Sequence, residues 1–302
     1  MTTSFNYTVN KNSGSRFAPE AGRYILYVTG GCPFAHRALL ARVIKGLDGV
    51  IDTAYVDHAW TPNGWKFPAD ASEERFGSTV DPIYGAKYIR ELYFKAEPNY
   101  SGRFTVPLFW DKKLHTAVNN ESAQIVRFLN TEFNPLLPAE KRDVDLYPEH
   151  LRAEIDQTST WLSENIIRSI YGSAFGESEE VKNAAAEKLY AGLDKLEAIL
   201  SQSKYIVGDK LTEADINILP WIARLDTVYL PLVKGHERSL VKDYPATSRW
   251  VRRIYQLPGV AGTFNLDQIK LIYADSPVYN KHFPQGFSFP DGPDFANPHV
   301  EA

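Results

Sequence analysis

The sequence predicts two domains, an α/β N-terminal domain followed by an all-α C-terminal domain. Three observations carry that expectation. The 302 residues suffice for two ordinary cores. Strand-like and helix-like segments alternate over residues 23–133, and long helical stretches with no convincing strand among them fill residues 149–256.

The first strand is YILYV, ending at Val28; a helix starts at Pro33 and runs to about Gly46, and VIDTAYV follows as a second strand. That β-α-β spacing implies a parallel pair. Residues 58–100, roughly, form a long insertion whose frequent prolines and glycines argue against one regular element and for a functional role or disorder. FTVPLFWD and HTAVNN read as a hairpin turning at Asp111-Lys112-Lys113, and a helix spans Glu121 to Phe133. The first domain is thus placed at residues 1–134, with Met1 to Gly22 as an irregular arm and Asn134 to Pro148 as a linker. The second domain, residues 149–302, has helices at Glu149–Ile170, Glu179–Leu200, Thr212 to about Val233, and Tyr244–Gln256. Thr212 as N-cap with Asp215 three residues on forms an acidic capping box, and Leu211 and Ile216 are spaced as a hydrophobic staple. From Asn265 an aromatic, proline-rich tail follows.

A net charge of -4 gives no positive field that would gather nucleic acid or anionic lipid, so small ligands are the expected partners. No apolar run approaches the length of a membrane span. A single cysteine excludes an intrachain disulfide framework, and the N-terminus lacks a secretory pattern, so a cytoplasmic protein is expected. The seven histidines show no metal spacing, and no metal is expected.

That lone cysteine, Cys32 in VTGGCPFAHR, sits between the first strand and the first helix. With Pro33 at the first helical position, Cys32 becomes the N-cap, where free backbone N–H groups and the positive end of the helix favour a thiolate. Such a position lowers a thiol from its ordinary value of about 8.5 toward neutrality. His36 and Arg37 would add to this, and Gly30-Gly31 would leave the sulfur uncrowded. The competing reading is a small buried apolar side chain. Ala35 stands where a redox C-x-x-C motif has its second cysteine, so a disulfide formed at Cys32 must be opened by an external thiol, for which glutathione is the abundant cytosolic candidate.

C-P-F-A between a strand and a helix, T-V-P before a second strand, N-E-S opening a later helix and the LTEADI capping box together resemble a cysteine-type glutathione transferase, whose N-terminal domain is thioredoxin-like. CPFAHR, Gly64-Trp65, the run DPIYGAKYIRELYFKAEPNYSGRFTVPLFWD followed by VNNES, and the tail segment DQIKLIY are similar to the omega-like branch, the glutathionyl-hydroquinone reductases or xi class. The resemblance implies a glutathione transferase fold, glutathione as co-substrate and a homodimer. It implies that Val106, freed by a cis Pro107, pairs with the glutathione peptide, and that Glu121 and Ser122 hold the γ-glutamyl end. It also gives Phe34, Trp65 and Arg103 to the glutathione site, and Tyr171 and Tyr273 to an aromatic acceptor pocket, where a phenol would stabilise a quinol oxygen as sulfur leaves. The sequence departs from the family pattern at Phe34, more often tryptophan, and at Tyr273-Ala274, often paired tyrosines. The expected reaction is deglutathionylation of S-glutathionyl hydroquinones. An omega-type thiol transferase or dehydroascorbate reductase and a non-catalytic ligand-carrying module remain alternatives.

Overall fold

The computed structural model describes residues 4–58, 60–61, 63–233 and 238–297. The chain divides into two compact units, Met1–Asp145 with Gly262–Pro277, and Leu146–Ala261 with Val278–Ala302. The first is α/β and the second helical, as the sequence predicts.

In the first unit, β1 (Tyr24–Val28), α1 (Pro33–Ile44) and β2 (Ile51–Tyr55) form the expected unit, with β1 and β2 parallel in the register Tyr24↔Ile51 to Val28↔Tyr55. The insertion contributes a short antiparallel pair, β3 (Trp60–Thr61) and β4 (Gly64–Trp65), and a helix, α2 (Ile89–Ala96). The hairpin is β5 (Leu108–Asp111) and β6 (Thr116–Asn119), followed by α3 (Ser122–Thr131). Sheet order is β2-β1-β5-β6, with β5 antiparallel to both neighbours. Every residue of β1 and β5 is buried, as strands covered on both faces require. Helices α1 and α3 pack together, while α2 packs on β6 and β4.

The arm covers the free edge of β6. Asn6 bridges Asn119, Tyr7 N–H donates to Val118 O at 3.0 Å, and Phe5, Val9 and Phe17 are buried. Arg23, paired with the fully buried Asp111 (Nε–Oδ2 2.9 Å), also donates to Arg16 O at 2.8 Å and so ties the arm to the sheet. An edge covered in this way is closed to pairing with other chains.

Two sequence expectations differ from the structure here. The insertion is more regular than its prolines and glycines suggest, because side chains replace the missing periodicity. Asp81 gathers the Tyr27 hydroxyl (2.8 Å) and the N–H groups of Tyr84 (3.1 Å) and Ala86 (3.0 Å), which shapes the DPIYGA segment. Glu91 accepts from Tyr88 N–H at 3.0 Å and so starts α2 behind a tyrosine, a poor N-cap signal. The stretch read as a linker is also structured: α4 (Ala139–Arg142) belongs to the first unit, and Asn130 Nδ2 donates to Asp145 Oδ1 at 2.7 Å.

The second unit holds α5 (Arg152–Leu162) and α6 (Arg168–Phe175) joined through a π-helical turn, then α7 (Glu179–Gln202), α8 (Glu213–Ile222), α9 (Leu240–Asp243) and α10 (Pro245–Tyr255). The helix expected over 212–233 ends as α-helix at Ile222, two residues after Pro220, which cannot donate within it. Asp215 makes more than a cap. Its fully buried carboxylate accepts from Thr212 N–H (2.9 Å), Ile206 N–H (3.1 Å) and the Trp250 indole (2.8 Å), joining α8, the loop before it and α10. Burial pushes this carboxyl up to about 6, against the pull of those hydrogen bonds.

The largest departure is the start of the tail. Residues 262–277 leave the helical unit and join the first one, where α11 (Leu266–Ala274) starts at Asn265, whose side chain accepts from Gln268 N–H at 2.9 Å. No helix among the described residues is long and apolar enough to cross a membrane.

Candidate functional site

The turn after β1 places Cys32. Its N–H donates to Thr29 O at 3.3 Å, closing a four-residue turn with Gly30 and Gly31 at the centre. Cys32 is then the N-cap of α1 in extended conformation (φ -77°, ψ 118°), Pro33 opens the helix, and Cys32 O accepts from His36 N–H at 3.0 Å. No side chain caps this helix end and no acidic residue lies in its first turn, so its positive end is not neutralised locally. The half-buried sulfur lies 3.7 Å from Val106 O.

The two glycines at the centre of this turn also make room for a helix. Neither has a left-handed φ; instead α11 lies against them. A Cβ on Gly30 would stand 2.7 Å from Asn265 Cβ, and one on Gly31 would stand 2.7 Å from Gln268 O and 2.9 Å from Ile272. His36 is buried, with Nε2 2.8 Å from Thr263 Oγ1 and its ring edge-on to Phe264. Arg37 stacks over the ring of Phe34, 5.4 Å from its centroid, and Phe34 is 41% exposed.

Val106 and Pro107 are joined by a cis peptide bond. Val106 is buried, and its N–H has no protein partner among the described residues. Glu121, exposed, is the N-cap of α3 and Ser122 its first residue; no side chain caps that end either. Asn119 and Asn120, the NN of VNNES, set this corner. Asn119 Oδ1 accepts Glu121 N–H at 2.7 Å, while Asn120 holds Phe5 N–H at 2.8 Å and reaches the Tyr93 hydroxyl at 3.3 Å. Tyr93 in turn donates to Thr105 O at 2.7 Å, next to Val106. The arm, the insertion helix and the Thr105–Val106 segment therefore meet at one buried node, which only the three-dimensional arrangement reveals.

Trp65 is buried in the β3–β4 pair, edge-on to Trp60 at 4.9 Å. Arg103 is exposed, and its guanidinium makes no hydrogen bond or ion pair among the described residues. Tyr273 lies in α11 of the first unit and is 2% exposed. Tyr171 lies in α6 of the second unit, half-buried, its hydroxyl accepting from the Trp221 indole at 3.4 Å.

His58 was not singled out by sequence. Buried at the mouth of the insertion, it places Nδ1 2.5 Å from Asp57 Oδ1, a close charge contact without hydrogen-bond alignment, and Nε2 2.8 Å from Asp275 Oδ2, just past α11. Arg75 faces the other oxygen of Asp57 at 3.5 Å. The Asp57 carboxylate, with Asp275, raises the imidazole above its ordinary value despite burial. A raised folded-state value stabilises the fold fully below the unfolded value of about 6.5 and loses that contribution as pH climbs through the folded one. Asp275→Asn should therefore lower Tm most in acidic buffer, and the deficit should shrink in thermal melts run at progressively higher pH.

Two family models cover this architecture: the N-terminal domain of glutathione S-transferases matches residues 31–132, and their C-terminal domain matches residues 179–253. Glutathionyl-hydroquinone reductase YqjG of Escherichia coli is 40% identical over 258 residues, covering 85% of this chain and 76% of that protein. Among solved structures, glutathione transferase Xi 1 of Trametes versicolor superposes with a TM-score of 0.87 at 39% identity over 100% of both chains. The glutathione-bound structure of YqjG superposes with a TM-score of 0.87 at 35% identity over 98% of this chain and 95% of that one. The chain belongs to the glutathione transferase family, in its xi class of glutathionyl-hydroquinone reductases.

Proposed function

We propose that this protein removes glutathione from S-glutathionyl hydroquinones, with Cys32 as the attacking nucleophile. The observation that carries the reading is the partly buried Cys32 at an uncapped helix start, beside Val106, whose N–H has no partner among the described residues. The names of the E. coli relative and of the xi-class structures support it.

In this reading the Cys32 thiolate attacks the glutathione sulfur of the thioether. The sulfur–sulfur bond forms as the carbon–sulfur bond breaks, and the departing electron pair goes to the ring, which takes up one proton and leaves as hydroquinone. The thiolate of a second glutathione then attacks the mixed disulfide, releases oxidised glutathione and restores Cys32; the proton it gave up balances the one consumed. Glutathione is both reductant and product partner, and no metal enters. Val106 pairs with the peptide, Ser122 and the N-terminus of α3 take the α-carboxylate, and Glu121 takes the ammonium. Arg103 binds a carboxylate, and Phe34 and Trp65 cover the tripeptide. Tyr171 or Tyr273 supplies the proton path at the quinol oxygen, for which single phenylalanine variants at the two positions discriminate. The protein acts as a cytoplasmic homodimer.

Ser122→Ala should raise KM for glutathione about ten-fold, the loss of one hydrogen bond to a charged group, with kcat little changed. The activity is tested by turnover of glutathionyl-menadione to menadiol and oxidised glutathione, compared with hydroxyethyl disulfide. Faster turnover of the disulfide would make the protein an omega-type thiol transferase instead. A thiol sluggish toward iodoacetamide near pH 6 would make it a non-catalytic module.

A further inference from the structure

The segment that leaves the helical unit carries a side chain with an unexplained placement. Gln268, on α11, is 0% exposed. Its Oε1 accepts from Gly30 N–H at 2.6 Å and from the Thr29 hydroxyl at 3.0 Å, two residues of the turn that delivers Cys32. Because Gly30 N–H can only donate, Oε1 must be the atom facing it, which fixes the orientation of the amide. Nε2 is then left buried without a hydrogen-bond partner among the described residues. A buried glutamine that leaves half of its amide unpaired is a net cost to stability unless the bonds it does make serve something else.

The backbone around it is arranged for this contact. Glycine at 30 and 31 admits α11 to within a distance that any side chain would block, Asn265 caps the helix at Gln268 N–H, and Asn265 Nδ2 donates to Phe76 O at 2.5 Å in the insertion. The helix is therefore held from outside while Gln268 holds the turn. Gly30 N–H belongs to the Thr29–Gly30 peptide, which opens the turn whose closing bond is Cys32 N–H to Thr29 O at 3.3 Å. Rotation of that peptide would change the direction in which Cys32 enters α1, and with it the alignment of the sulfur on the helix end.

The geometry points to Gln268 as a positioning residue for Cys32: through the Gly30 amide and the Thr29 hydroxyl it fixes the turn that holds the sulfur at the N-terminus of α1. The inference rests on the reading of Cys32 as the nucleophile and extends the site to residue 268 of the chain. Gln268 touches neither substrate nor the reacting atoms, so its effect must appear in the behaviour of the thiol.

The test uses the full-length protein and two variants. Gln268→Met keeps the length and bulk of the side chain and removes the acceptor; Asn265→Ala removes the cap of α11 and leaves the acceptor in place. The readouts are the pH profile of Cys32 alkylation by iodoacetamide, the kcat and KM for glutathionyl-menadione, and Tm. Gln268→Met should move the alkylation midpoint upward by about one pH unit, cutting the rate near pH 6 about ten-fold, and lower kcat with KM for glutathione held within about three-fold. Asn265→Ala should lower Tm with its alkylation profile in place. If Gln268→Met lowers Tm while its alkylation profile and kcat match wild type, or if both variants shift the profile equally, Gln268 is structural only and the proposal falls. A wild-type thiol already sluggish at pH 6 would overturn the reading of Cys32 itself, a separate failure visible before any variant is compared.

Discussion

Cys32→Ser should lower turnover of glutathionyl-menadione by at least about 10³-fold, the scale of loss when a nucleophile that forms a covalent intermediate is removed. Serine fills the same N-cap position, and as a good N-cap residue it should leave α1 and Tm unperturbed or slightly improved. Binding should survive as well, because the groups proposed to hold the tripeptide, Val106 and the start of α3, are contributed by other segments. The expected signature is thus a folded protein that still binds glutathione in calorimetry and does not turn over. Residual turnover within ten-fold of wild type would mean that the sulfur is not the attacking atom.

The second large effect concerns stability. Asp215→Ala should destabilise the protein by about 4 kcal/mol, since it strands the N–H groups of Ile206 and Thr212 and the Trp250 indole in a fully buried place, at about 1–3 kcal/mol for each unmet donor. In urea the midpoint should fall with the slope unchanged, provided the unfolding remains cooperative. The pH dependence has a definite sign. A carboxyl pushed up to about 6 in the folded state, above its ordinary value near 4, contributes most at low pH and loses part of that contribution as pH rises through about 6. The gap between wild type and Asp215→Ala should therefore be wider at pH 4 than at pH 8.

The parts legible in the sequence are those encoded within a few residues. Pro33 after Cys32 announces a helix start, and that start is where the sulfur sits. Thr212 and Asp215 announce α8, and short strand-like runs bounded by turn residues announce the four strands of the main sheet. Where the sequence reading falls short, long-range side-chain bonds do the work of local pattern. Helix α2 has a tyrosine at its N-cap and turn residues on both sides, and its position is set by Glu91 and by Tyr93 reaching Thr105. Helix α11 carried a readable signal, Asn265 followed three residues later by Gln268, which fits the capping-box spacing. Its return to the first unit had none, because Gln268 meets Gly30 across 238 residues of chain. The same separation hides that Gly30-Gly31, besides forming the turn, is a surface cleared for a helix. Val106, Glu121 and Ser122 came from resemblance to the family; what the structure adds is the physical state of each: an unpaired buried N–H, an exposed carboxylate, and the first residue of an uncapped helix.

Intact-protein mass spectrometry after a single exposure to glutathionyl-menadione, without free glutathione, tests the central claim most directly. The account expects one glutathione bound per chain, mapped to Cys32, with one equivalent of menadiol released and the adduct discharged as oxidised glutathione when free glutathione is added. Menadiol released while Cys32 stays unmodified would contradict it.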